Sequence, residues 1–182
     1  MKKNTKDFEK LIGIKFNKLE LLNQALIHKS FNSDKNNEKL EFLGDRVLGL
    51  VIAKKLIETY PKEKEGIIDK KYANLVNKNT CLKIAKTIDL KKYMYLGDSY
   101  KGIKTSNNKI ISDCLEALIG AIYLDSGIKS AEKFIFIFWK DYIIKSEYTL
   151  IDPKTKLQEY SLKKFKELPK YSLHKESGPK HN

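Results

Sequence analysis

Apolar residues recur three and four positions apart through most of the first 150 residues, the spacing of helices that seat one face on a core. Leu19 to His28 is a short stretch of this kind. Asn37 to Tyr60 is a long one that Pro61 must stop, because the proline ring disfavours helical geometry in the residue before it. Ile67 to Val76 and Thr80 to Ile88 continue the pattern on either side of the polar Asn77-Lys78-Asn79. Tyr95 to Asn108 is rich in Gly, Ser and Asn and reads as a loop. Ile110 to Leu124 is the most apolar helix of the chain, and Gly127 divides it from a following helix over Ser130 to Ile144. Period-two alternation is nearly absent from this region, so an all-α domain over residues 6–146 is expected.

The pattern changes after that. Residues 147–151 read as a linker, and Asp152 and Pro153 open a new helix that runs to about Lys166. Pro169 to Lys175 alternates as a strand does, and Glu176 to Asn182 reads as the turn after it. Residues 152–182 are too few to bury a core of their own, so a second, α/β domain is expected to begin there without finishing.

The two faces of the long helix differ. At about 100° per residue, Glu38, Glu41 and Asp45 fall within an arc of about 60°, while Leu40, Leu43, Val47 and Val51 lie opposite. Acids opposite an apolar stripe usually form nothing more than a solvated face. The helix from Ile110 sharpens the picture, since nearly every residue but Asp113 and Glu116 is apolar or small. A helix apolar on most sides is buried, and a buried carboxylate without a partner is costly. Gly120 follows Glu116 on the same face one turn later, where another backbone can come close. No nearby Arg or His offers a counter-charge, although a Lys from elsewhere in the chain could reach in.

Acids on two helices, with no His or Cys sharing their faces, form an all-oxygen donor set. Hard oxygen donors suit Mg²⁺, or Mn²⁺ in its place, better than zinc or copper. Net charge then changes the reading. The chain has 36 Lys and Arg against 23 Asp and Glu, a formal charge of +13, and every basic residue but Arg46 is Lys. Such a surface attracts polyanions, and a carboxylate cluster beneath it points to phosphodiester chemistry through a Mg²⁺-dependent nuclease or phosphohydrolase. Cys81 and Cys114 lack the CxxC spacing of zinc ribbons and disulfide scaffolds. The longest apolar run, Ala117 to Leu124, is well short of the roughly 20 residues of a membrane span. The amino-terminal residues carry no apolar secretory core, so a cytoplasmic location and no membrane partner are expected.

Asn37-Glu38-Lys39-Leu40-Glu41-Phe42-Leu43-Gly44-Asp45 resembles the signature stretch of bacterial ribonuclease III. Asp113 to Asp125 (DCLEALIGAIYLD) resembles the second motif of that family. The resemblance covers about residues 8–147. The run from Asp152 to Tyr160 is similar to the opening of the double-stranded RNA-binding domain that follows in the family, and Gly178 to His181 to a loop of it.

The resemblance implies a Mg²⁺-dependent homodimeric endonuclease. It would cut both strands of double-stranded RNA, leaving 5′-phosphate and 3′-hydroxyl ends with short 3′ overhangs, in rRNA and mRNA processing. By motif position it implies that Glu41, Asp45, Asp113 and Glu116 hold the metal, with Asp45 and Glu116 catalytic. Glu38 and Glu65 match further acids of the substrate cleft, and Phe42 matches a residue that plugs into the partner subunit. Thr155, Gln158, Glu159 and His181 match positions that touch RNA. His28 also matches a family position, but a histidine beside an apolar helix is more often structural. Arg46 stands where the family commonly has a small residue. Two other readings stay open, a non-catalytic RNA-binding or ribosome-associated protein on the same fold and a phosphohydrolase of small nucleotides.

Overall fold

The computed structural model describes residues 5–98, 107–146 and 153–172. Among them the helices are α1 (Thr5–Ile12), α2 (Leu19–Ala25), α3 (Glu38–Thr59), α4 (Glu65–Val76), α5 (Lys78–Thr87), α6 (Leu90–Tyr93), α7 (Asn107–Lys145) and α8 (Pro153–Phe165). No strand occurs among the described residues, and the one extended pairing is a single parallel bridge between Ile27 and Tyr95. The expected all-α architecture is present. Pro169 to Ser172, the described part of the expected strand, is not in a sheet, and Leu173 to Lys175 lie outside the described residues. No described helix is long and apolar enough to cross a membrane.

The chain divides into two compact units, residues 1–147 and 148–182. In the first, α3 and α7 make the most extensive contact. Leu40, Val47, Leu48, Val51, Ile52 and Leu56 of α3 are buried with Leu115, Leu118, Ile119 and Ile122 of α7 in one core. Two glycines set how closely these helices cross. A Cβ on Gly44 would overlap the backbone carbonyl of Glu116, and one on Gly120 would overlap that of Leu40. The helices therefore meet backbone to backbone, closer than side chains would otherwise permit.

Two helices, α1 and α6, fall outside the stretches that the apolar pattern marks. Each is short, and each is held by its neighbours: the rings of Phe8 and Tyr93 lie 4.3 Å apart. The break expected at Gly127 is a kink inside α7, where the glycine takes φ 76° and ψ −177°. Just before it, Asp125 accepts hydrogen bonds from the backbone N–H groups of Asn17 (3.0 Å) and Lys18 (2.7 Å), which ties the residues leading into α2 to α7.

At the far end of α7 the fold buries a lysine. Lys71 of α4 is only 1% exposed. Its ammonium donates to the Ser146 carbonyl at 2.6 Å and sits 4.3 Å from the centre of the Tyr60 ring. The Tyr60 hydroxyl donates to the Ile143 carbonyl at 2.9 Å. A cation and a hydroxyl thus satisfy carbonyls at a helix carboxyl end, where positive charge is favoured, and the Tyr60 ring faces the cation.

The second unit, taken by itself, shows α8 with Leu157, Tyr160, Leu162 and Phe165 exposed. Its side-chain bond from Ser161 to the Glu167 carbonyl (2.7 Å) closes the turn after the helix.

The crossing gives a direct test. Gly44→Ala should destabilise the first unit by about 3 kcal/mol through backbone overlap, outweighing the roughly 1 kcal/mol by which Ala is the better helix former. Gly66→Ala, in α4 with open space around it, should be neutral or slightly stabilising. Thermal unfolding followed by circular dichroism compares the two. Equal melting temperatures for Gly44→Ala and the parent chain would mean that the helices do not meet at the backbone.

Candidate metal centre

The close crossing brings the acid faces of α3 and α7 together. One carboxylate oxygen each from Glu41, Asp113 and Glu116 lies within 4.8 Å of the others. Glu41 comes from the first turn of α3, one turn before Gly44. Asp113 and Glu116 are one turn apart on α7, before Gly120. The glycines that allow the approach are thus on the same faces as the acids.

Burial makes the cluster electrostatically costly. Glu116 is 7% exposed, and burial, followed by the charges of Asp45, Asp113 and Glu41, pushes its carboxyl up to about 7, with Lys78 opposing. Burial and then Asp113 also raise Glu41, against Lys109 and Lys78. Asp113 Oδ1 is buried and has no hydrogen-bond partner. An orphaned buried oxygen and two carboxyls that resist ionisation are what an oxygen-ligand cation site presents before it is filled. The donors therefore fit a hard divalent ion.

Asp45 is placed differently from the other three. It lines the same open cleft, of about 600 Å³, together with Glu38, Glu41, Phe42, Arg46, Asn77, Lys78 and Glu116. It is not within the tight three-acid group, however, and its carboxylate is paired with the guanidinium of Arg46. Arg46 also stacks over Phe42, with its guanidinium carbon 4.8 Å from the ring centre. Phe42 is 65% exposed, as its position on the acid side of the helix implies.

Glu38 is exposed and bonded to Lys29 at 2.8 Å. It borders both the large cleft and a second hollow of about 330 Å³ that also touches His28, Glu41, Lys109 and Asp113. Glu65 opens α4 and lines neither hollow. Thr155, Gln158 and Glu159 are on α8 of the other unit, and His181 lies outside the described residues.

Sequence reasoning missed several groups around the cluster. Lys78 and Lys109 place their ammoniums 3.7 and 3.8 Å from the two oxygens of Asp113. The polar run Asn77-Lys78-Asn79 is no mere spacer: Asn77 accepts a hydrogen bond from the Thr80 N–H (2.9 Å) and caps α5, which starts that helix with Lys78 at the cleft. An Asn directly before an apolar period was the available signal. His28 is held at the second hollow by the bridge to Tyr95, whose carbonyl accepts its backbone N–H at 3.1 Å. Its ring Nδ1 is 2.8 Å from the Ser30 hydroxyl.

Comparison with known proteins identifies the family. A family model described as "Ribonuclease-III-like" matches residues 18–142. A protein of Pelagibacter ubique named Ribonuclease 3 is 57% identical over 182 residues, all of this chain and 82% of its own length. One of the same name from Leptospira interrogans is 42% identical over 94% of this chain and 73% of its own length. Among solved structures, a nuclease domain of ribonuclease III from Campylobacter jejuni, described for its flexibility in a region involved in dimer formation, superposes with a TM-score of 0.70. It is 34% identical and covers 81% of this chain and all of its own. A helical fold that gathers carboxylates at a glycine crossing, and likenesses that span nearly the whole sequence, place the chain in one group of enzymes: it belongs to the ribonuclease III family.

Proposed function

We propose that the chain is a Mg²⁺-dependent endonuclease, with Mn²⁺ able to substitute, that cuts both strands of double-stranded RNA in the cytoplasm during rRNA and mRNA processing. The observation that carries this reading is the three-carboxylate cluster of Glu41, Asp113 and Glu116 within 4.8 Å, set in a chain of net charge +13. Asp45, on the wall of the same cleft, completes the ligand set. The products have 5′-phosphate and 3′-hydroxyl ends with short 3′ overhangs.

When bound, the metal supplies Lewis-acid polarisation of the phosphoryl group and a more acidic water. The chain's residues do the rest. Glu41, Asp113 and Glu116 provide oxygens in fixed positions, because the helices carrying them cannot slide past the glycine crossing. Burial strengthens each electrostatic interaction there. Asp45 and Glu116 act directly on the reacting centre, while Glu38 belongs to a secondary acidic region of the cleft; Glu65, outside both hollows, would meet the duplex only beyond them. Surface lysines hold phosphates along the duplex. Recognition is by A-form shape, since the major groove of RNA is too narrow for side chains to read.

Phe42 is the proposed dimer contact. A large aromatic left mostly exposed beside the cleft loses the stabilisation that burial would give it, and a second copy would cover it. Two copies related by a two-fold axis would offer one cluster to each strand. Residues 6–146 form the catalytic domain, 147–151 the linker and 152–182 the start of a double-stranded RNA-binding domain. In that segment Thr155, Gln158, Glu159 and His181 would meet RNA. The competing reading, a non-catalytic RNA-binding or ribosome-associated protein, is disfavoured by the presence of all four acids of the motif.

Two experiments test the proposal. Glu116→Gln keeps the shape and loses the charge; if the metal contributes several kcal/mol, single-turnover cleavage of a long RNA duplex in Mg²⁺ should slow about a thousandfold, roughly 4 kcal/mol. Duplex binding should stay within about threefold, under 1 kcal/mol. Cleavage within tenfold of the parent would overturn the assignment. For Phe42→Ala, sedimentation at micromolar concentration should show a shift from dimer towards monomer. A parent chain that sediments as a monomer, or a variant that remains fully dimeric, would remove Phe42 from the interface.

A further inference from the structure

Asp113 has an arrangement that the hydrolytic reading does not explain. Its buried Oδ1 receives no hydrogen bond, yet ammoniums approach the carboxylate from two different elements. Lys78 Nζ lies 3.7 Å from Oδ1 and Lys109 Nζ 3.8 Å from Oδ2. Both distances exceed a hydrogen bond, so the attraction is one of charge alone. Lys78 is the first residue of α5, and Lys109 stands one turn before Asp113 on α7. Lys78 borders the larger cleft and Lys109 the smaller hollow, with Glu38 and Glu41 common to both. The two lysine side chains are 60% and 70% exposed, whereas Asp113 is 14% exposed. The acid is therefore fixed and the cations are free to swing on four-carbon stems.

We propose that Lys78 and Lys109 are resident counter-ions of the acid cluster, which hold Asp113 in the metal-free chain, compete with a divalent cation for it and so set the affinity of the site. The inference rests on the metal-binding reading above. The field of these lysines reaches beyond Asp113, since Lys78 acts against the loss of charge at both Glu41 and Glu116, and Lys109 at Glu41. A divalent ion bound to Asp113 at about 2 Å would stand within a few ångströms of both ammoniums, and like charges at that range repel, although water around the exposed lysines weakens the effect. The lysines must swing out as the ion enters. That movement is a cost which a chain without them would not meet.

The test is the binding of Mn²⁺ alone, measured by calorimetry on the whole chain at fixed ionic strength with no RNA present. The parent is compared with a Lys78→Met, Lys109→Met pair, a Lys78→Arg, Lys109→Arg pair and Asp113→Asn. The methionine pair should bind Mn²⁺ about tenfold more tightly, a discounted Coulomb effect at partly exposed sites. The arginine pair, which keeps both charges, should stay within about twofold of the parent. The methionine pair should also melt at a lower temperature without metal and gain more from Mn²⁺ than the parent does. If the pair does not fold, Lys109→Met alone, at the more exposed position, should still tighten binding about threefold. Mn²⁺ binding that is unchanged or weaker in the methionine variants overturns the counter-ion role and leaves the metal site standing. A parent chain that does not bind Mn²⁺, or an Asp113→Asn variant that binds it equally well, overturns the site and the inference together.

Discussion

The rest of the structure depends on one contact, the crossing of α3 over α7 at Gly44 and Gly120. Neither position has room for a Cβ, because each glycine rests against a carbonyl of the opposite helix. At ordinary interhelical distances of about 8–10 Å, carboxylates on facing helices would be separated by their neighbours' side chains. Here the backbones touch, and oxygens of Glu41, Asp113 and Glu116 converge within 4.8 Å. The same contact fixes Leu40 and Leu115 in the core. Core packing and site geometry are thus one constraint, and a change that loosens the crossing must act on both.

Stability and chemistry pull against each other at this point. Burial first, and then the charges of Asp45, Asp113 and Glu41, make Glu116 resist ionisation, and such sites lower the stability of the folded chain unless a cation answers them. The core around them absorbs the cost. Trp139, Phe134, Ile119 and Leu118 of α7 are fully buried, and the Trp139 indole N–H finds the Leu75 carbonyl at 2.9 Å, so a large apolar surface is secured without an orphaned donor. The carboxyl end of α7 is secured as well: the Lys71 and Tyr60 side chains donate to the Ser146 and Ile143 carbonyls. A long, well-anchored helix can carry two unfavourable charges that a short one could not.

Lysine is used in three ways among the described residues. Most lysines are solvated and give the surface its positive field, whereas Lys71 is buried against carbonyls and a ring, and Lys78 and Lys109 face a carboxylate. The difference lies in what each stem lies against, since the flexible chain lets the same residue serve as a solvated charge, a helix-end cap or a movable counter-ion.

Local periodicity alone determined the longer helices, their apolar faces and the positions of the acids on them. It placed Glu38, Glu41 and Asp45 opposite Leu40, Val47 and Val51, and marked Gly120 as a point of close approach and Gly127 as a break. The two motifs pointed to the family. These features are legible because a helix of fixed pitch turns sequence spacing directly into direction. Only the tertiary structure decided what stands opposite each face. It drew Glu41 to Asp113 and Glu116, left Asp45 beside Arg46, brought Lys78 and Lys109 to Asp113, and formed α1 and α6 where the local pattern was too short to mark them. The physical reason is that these outcomes depend on contacts between residues far apart in the chain and on the rotamers of long side chains, which are settled by neighbouring elements and not by the helix that bears them.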